Sequence, residues 1–142
     1  MADSKTLLQC CLYFTANSLC RTMTRLAEEV FAPVGLSPSH VFVLMVAAEN
    51  PGLSQKELTQ ALHLAPSTVT RFVDFLVLRG LVERKSQGKA ARVFPTDQGE
   101  ALRGVIAECW RKLHARYLEA LGPEGDELAR RVGAACRKLE GR

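Results

Sequence analysis

Between Ser54 and Phe94 the chain is punctuated so closely that few folds can accommodate it. Ser54-Gln55-Lys56-Glu57 has the spacing of a capping box, in which the Ser54 hydroxyl and the Glu57 carboxylate satisfy each other's free amides. That box opens a short helix to about Leu62. Pro66, suited to the first turn of a helix, opens another over 66–79, and Gly80 is a natural stop. Val69, Phe72, Val73 and Leu76 recur at three- and four-residue steps and predict its inward stripe. Beyond Gly80 the period changes. Leu81 to Lys85 and Ala91 to Phe94 partly alternate around Gln87-Gly88-Lys89, which reads as a small hairpin. Two helices joined by a tight turn and followed by a basic hairpin make a winged helix-turn-helix.

The flanking segments read as helices. Residues 5–31 carry Leu8, Leu12, Thr15, Leu19, Met23, Leu26 and Val30 on one side, with no Pro or Gly until Pro33. Ser37 caps a helix whose first residue is Pro38 and which runs to about Asn50, where Pro51-Gly52 ends it. Thr96 or Asp97 caps a long helix to about Leu121, and 124–140 forms the last. The predicted fold class is mainly α with a small β-hairpin wing and six helices. At 142 residues this is one domain. Residues 5–31 and 97–140 lie outside the 37–94 lobe. No apolar run approaches the roughly 18 residues of a bilayer span, and no signal peptide is apparent. Five cysteines without a C-x-x-C pair argue against a disulfide framework and a zinc ribbon, and for a cytoplasmic setting.

Net charge is only +4, but residues 65–94 carry six basic against two acidic side chains. The surplus therefore sits on the second helix of the pair and on the hairpin, where a polyanion-binding surface would need it. Opposite the inward stripe, Ser67, Thr70, Arg71 and Asp74 share one face. Arg and short hydroxyls suit base edges or phosphates, and Arg84, Lys85, Lys89 and Arg92 on the hairpin suit the backbone or the minor groove. A winged-helix module that binds protein without DNA affinity is the alternative, but it has no reason to gather charge there.

Five fragments in order carry a resemblance: Gly35-Leu36-Ser37-Pro38, Glu49 to Leu58, Ser67 to Asp74, Arg79 to Arg84, and Thr96-Asp97-Gln98-Gly99. The chain resembles the multiple-antibiotic-resistance regulator (MarR) family of bacterial transcription factors. The resemblance implies a homodimer, joined through its first and last two helices, that binds a pseudo-palindromic duplex operator as a repressor. By position, Ser67, Thr68, Thr70 and Arg71 would contact the major groove and the Arg84–Arg92 hairpin would be the wing. The helix end opened by Ser54 would lie near phosphate. Three features depart from the family pattern. The wing is about three residues shorter, it lacks acidic residues flanking a wing-tip arginine, and Phe75, Val77 and Leu78 stand where relatives are charged or small.

Regulation has two readings. A small aromatic or phenolic effector would occupy a pocket to which Tyr13, Cys20, His40 and Trp110 are assigned. Alternatively Cys10 and Cys11, one turn from the position that peroxide-sensing relatives use, would form a redox switch, against which stands the tendency of cysteine to be an inert buried side chain. The three histidines have no close pairing for a metal, so no metal or other cofactor is expected. No nucleophile–base set or phosphate-binding loop suggests an enzyme.

Overall fold

The computed structural model describes residues 3–141. Its elements, in chain order, are α1 (Ser4–Cys10), α2 (Leu12–Phe31), a 3-10 turn (Ala32–Val34), α3 (Pro38–Glu49), β1 (Leu53–Ser54), α4 (Gln55–Leu62), α5 (Pro66–Leu78), β2 (Val82–Gln87), β3 (Ala90–Pro95), α6 (Asp97–Ala101), α7 (Arg103–Leu121) and α8 (Glu124–Leu139). The sheet has three antiparallel strands in the order β1-β3-β2, with Leu53 opposite Val93 and Arg84 also opposite Val93 on the other side. No single helix among the described residues is long and apolar enough to cross a membrane.

Punctuation and structure agree over the lobe. Ser54 and Glu57 form both halves of the capping box, Ser54 Oγ accepting from the Glu57 amide at 3.2 Å and Glu57 Oε2 accepting from the Ser54 amide at 3.1 Å. The core gathers where α3, α4, α5 and the sheet meet. Phe31, Leu44, Leu58 and Leu76 are fully buried, as are Val41, Val69 and Val73. Each such side chain contributes about 1.5–3 kcal/mol of apolar burial.

Three expectations need correction. The helix expected over 5–31 is two helices, because Cys11 adopts extended backbone between them. No residue of α1 is buried, so no packing holds that turn helical, and the Cys11 carbonyl instead starts α2 by accepting the Thr15 amide at 3.0 Å. The helix expected over 97–121 is likewise divided at Leu102, whose amide bonds back only three residues, to Gly99. There are thus eight α-helices rather than six among the described residues. Finally, the two-residue strand β1 was not expected. It forms because the turn after α3 lays Leu53-Ser54 against β3.

The Thr96–Gly99 fragment acquires a physical reason. Thr96 Oγ1 accepts from the Gly99 amide at 3.1 Å and donates to the Gly80 carbonyl at 2.7 Å, joining the end of α5 to the start of α6. A Cβ on Gly99 would stand 2.1 Å from the Leu81 carbonyl oxygen, so only glycine permits this approach. Gly104, by contrast, lies within α7 with open space where a Cβ would go. Gly99→Ala should therefore destabilise the protein by about 3 kcal/mol. Gly104→Ala should stabilise it by about 0.5 kcal/mol. Denaturant midpoints of the two variants check both signs.

Candidate nucleic-acid interface

The exposed face of α5, the candidate reading helix, is set by what that helix buries. Val69, Val73 and Leu76 face the core, which leaves Ser67, Thr70, Arg71 and Asp74 exposed on the other side, while Thr68 is half-buried. Ser67 and Arg71 therefore lie on the solvent face. Thr70 is engaged: its hydroxyl donates to the Pro66 carbonyl at 2.9 Å and accepts from Gln55 Nε2 at 3.1 Å. Gln55, which the sequence reading did not single out, ties the first residue of α4 to the reading helix and fixes the angle between the two. Phe72 is half-buried at the edge of the stripe.

The wing cations differ from one another. Arg84 Nη2 lies 2.6 Å from Asp74 Oδ1, an ion pair that ties the hairpin to the reading helix. Lys85 Nζ pairs with Glu83 at 3.2 Å and sits 5.2 Å from the Phe94 ring centroid. Arg92 is half-buried and its Nη1 donates to the Gly52 carbonyl at 2.8 Å, so it points back at the turn before β1. Among the described residues neither Arg71 nor Lys89 has an ion-pair partner. Lys89 stands at the hairpin turn beside Gly88, whose φ of +67° is the conformation such a turn requires. Asp74 and Gln55 share a signature that sequence could not reveal, since each acts on a neighbour fixed only by the fold.

The residues grouped as an effector pocket part company. A cavity of about 420 Å³ opens between α2, the start of α3 and α7, and Cys20 and Trp110 line it together with Phe42, His114 and Tyr117. The Trp110 and Phe42 rings meet edge to face at 5.5 Å between centroids. Tyr13 lies elsewhere, in an apolar groove of about 870 Å³ between α2 and α8. His40 is not in the cavity either. On α3 it faces the reading helix, 4.8 Å from the Phe72 ring and 4.2 Å from the Phe75 ring, with Arg79 over the Phe75 ring at 5.6 Å. Phe75 thus packs on His40, whereas Leu78 is 84% exposed. Of the five cysteines only Cys109 is buried. The expectation of buried thiols fails for Cys10, Cys11, Cys20 and Cys136, because the helices that carry them leave their apolar sides uncovered in the single chain.

A family model described as the MarR family matches residues 34–92. Over 84 residues the chain is 38% identical to the HTH-type transcriptional regulator BhcR of Paracoccus denitrificans, a match covering 56% of this chain and 30% of that protein. Over 93 residues it is 29% identical to the HTH-type transcriptional repressor MdtR of Bacillus subtilis, covering 63% of this chain and 60% of that one. The matched part thus spans less than two thirds of either relative. Among solved structures, the transcriptional repressor CouR bound to a 23-mer DNA duplex superimposes with a TM-score of 0.80 at 24% identity, covering 96% of this chain and 100% of that one.

The contact between α3 and the reading helix carries a titratable group. Burial, with Arg79 nearby, holds the His40 imidazole below its ordinary pKa of 6.5. The folded protein therefore takes up this proton less readily than the unfolded chain. Its stability is whole above about pH 6.5 and falls as pH drops through that value toward the lower folded one. His40→Phe, which keeps a ring against Phe72 and Phe75, should flatten the stability profile between about pH 7 and 5 relative to wild type. Urea midpoints measured across that range provide the check.

Proposed function

We propose that the chain, whose residues 34–92 match the MarR family model, is a winged helix-turn-helix regulator of that family and acts as a cytoplasmic, homodimeric repressor of transcription. It reads a pseudo-palindromic duplex operator and is released by a small-molecule effector. One observation carries the reading: the buried stripe of α5 turns Ser67 and Arg71 outward beside a cationic hairpin that is tied to the same helix by Arg84 and Asp74. Arg71 is the side chain that meets a base edge, and Ser67 and Thr68 flank it. Lys89 and Lys85 approach phosphate from the wing, while Thr70 and Arg92 hold the two parts in place. The amide end of α4, beneath Ser54, lies against the backbone of the duplex.

Dimer formation follows from what the single chain leaves uncovered. Leu12, Tyr13 and Leu19 of α2 and Leu128, Val132 and Leu139 of α8 are all exposed and border or adjoin one apolar groove. A contiguous apolar surface of this kind marks a partner. A second copy supplies the complementary arm and sets two reading helices about 34 Å apart, the spacing of successive major grooves on one face of the duplex. The repressor CouR, with its 23-mer duplex, supports this use of the fold. CouR bound to p-coumaroyl-CoA, at 26% identity and a TM-score of 0.79, supports control by a small molecule. The cavity between α2, α3 and α7 is the site for such a molecule here, since it touches both the arm and the lobe.

Selection of bound duplexes from a random pool should recover two half-sites separated by one helical turn. An absence of paired half-sites would remove the dimeric reading. On a recovered duplex, Arg71→Ala should cost about 1–3 kcal/mol and change sequence preference, while Lys89→Ala should weaken all sequences alike and lessen the salt dependence. Equal, sequence-blind losses from both would reduce Arg71 to a phosphate anchor. Val132→Glu, which sets a charge in the groove between the arms, should yield a folded monomer by sedimentation and abolish tight duplex binding.

A further inference from the structure

The cavity between α2, α3 and α7 has a definite electrostatic character. Among the described residues no Lys or Arg lines it. Glu28 does, and among the described residues its carboxylate has no ion-pair partner. His114 also reaches the wall, but its Nε2 lies 2.8 Å from Asp126 Oδ1. That imidazole therefore has a carboxylate beside it. The remaining wall is aromatic and aliphatic, with the rings of Phe42, Trp110 and Tyr117 the largest parts. Burial and the nearby Asp126 push the Tyr117 hydroxyl above its ordinary value, so the ring remains a neutral phenol.

Aromatic faces attract cations, and the exposed carboxylate of Glu28 beside them adds a charge of the opposite sign. Among the described residues of one chain, an anionic ligand entering here would meet a carboxylate of its own sign and no cationic Lys or Arg in the wall. A cation would neutralise that carboxylate and gain the ring faces as well. At about 420 Å³ the cavity matches the size usual for small-molecule sites. We propose that it takes an organic cation, an aromatic amine or aryl quaternary ammonium, whose charged end lies by Glu28 and whose apolar body lies against Phe42 and Trp110. This names the chemical class of the effector and rests on the reading of the cavity as the effector site.

Trp110 is the only tryptophan in the chain, so its fluorescence reports on the cavity wall directly. The full-length protein would be titrated with benzyltrimethylammonium, benzyl alcohol and phenylacetate, which offer one aryl group with a positive, neutral or negative end. The cation should bind at least about tenfold more tightly than either of the others. Glu28→Gln should bring the cation within about twofold of the alcohol while leaving the alcohol's own affinity unchanged. Equal or tighter binding of the alcohol or the carboxylate, an undiminished preference in Glu28→Gln, or no fluorescence change with the cation up to roughly 10 mM would each overturn the proposal. Duplex binding, measured separately on a selected operator, distinguishes the two layers. Release of duplex by phenylacetate but not by the cation would leave the effector site standing and remove its cationic specificity. Cation binding with the stated preference and no change in duplex affinity would do the reverse.

Discussion

The rotation of one helix about its own axis governs the rest of the molecule. A helix turns by about 100° per residue, so three apolar positions suffice to fix which side faces water. Val69, Val73 and Leu76 are completely buried in α5, and the freedom left to that helix is small. Ser67 and Arg71 face outward as a consequence of this packing and not of their own chemistry. The Gln55–Thr70 hydrogen bond then sets the tilt relative to α4, and Thr96, bonded to the Gly80 carbonyl, fixes where the chain leaves α5 for the wing. Polar contacts refine an orientation that apolar burial has already chosen.

Much of this was legible from the chain because its stops and starts are strong. Capping by Ser37 and Ser54, proline at the openings of α3 and α5, and glycine after α5 each act within one turn of backbone, so local sequence suffices to place them. The misreadings share the opposite property. The break at Cys11 has no proline or glycine behind it. It exists because α1 buries nothing, which is a fact about missing neighbours rather than about α1. The turn at Leu102 closes by a bond from its amide to the Gly99 carbonyl, and β1 depends on β3. The cavity tells the same story at the level of side chains. Cys20 and Trp110 both line it, but Tyr13 and His40, assigned on residue type, lie elsewhere, where only the tertiary fold could place them.

Charge counting is similarly informative and similarly coarse. Six basic side chains cluster between residues 65 and 94, yet several are already committed within the chain. Arg92 holds the Gly52 carbonyl, Arg84 holds Asp74 and Lys85 holds Glu83. The last two are exposed ion pairs, worth at most about 1 kcal/mol each, and they can be exchanged for phosphate at small cost. Arg92, half-buried and bonded to a carbonyl, is a structural side chain first. Among the described residues Arg71 on the helix and Lys89 at the wing tip have no ion-pair partner, one positioned by a rigid element and the other by a two-residue turn. That division suits a surface in which one contact must be placed accurately and another need only find negative charge.

Helix α3 gives the proposed regulation a mechanical basis. Phe42 lies on the side of α3 that walls the cavity, and Ser37 and Pro38 at its start border the same space. Two residues before Phe42, His40 lies against Phe72 and Phe75 of the reading helix. A single rigid segment therefore has the cavity on one side and α5 on the other. Close-packed interiors do not compress, so a molecule that displaces Phe42 displaces the rings on which α5 rests. In the proposed dimer on its proposed operator, a shift of a few ångströms at each reading helix would change a spacing that the duplex fixes near 34 Å. The duplex cannot follow, and affinity is lost at both half-sites together. Such a switch needs only that the ligand bind better to the displaced arrangement than to the one that fits DNA. It requires no contact between ligand and reading helix, and the geometry of α3 provides none.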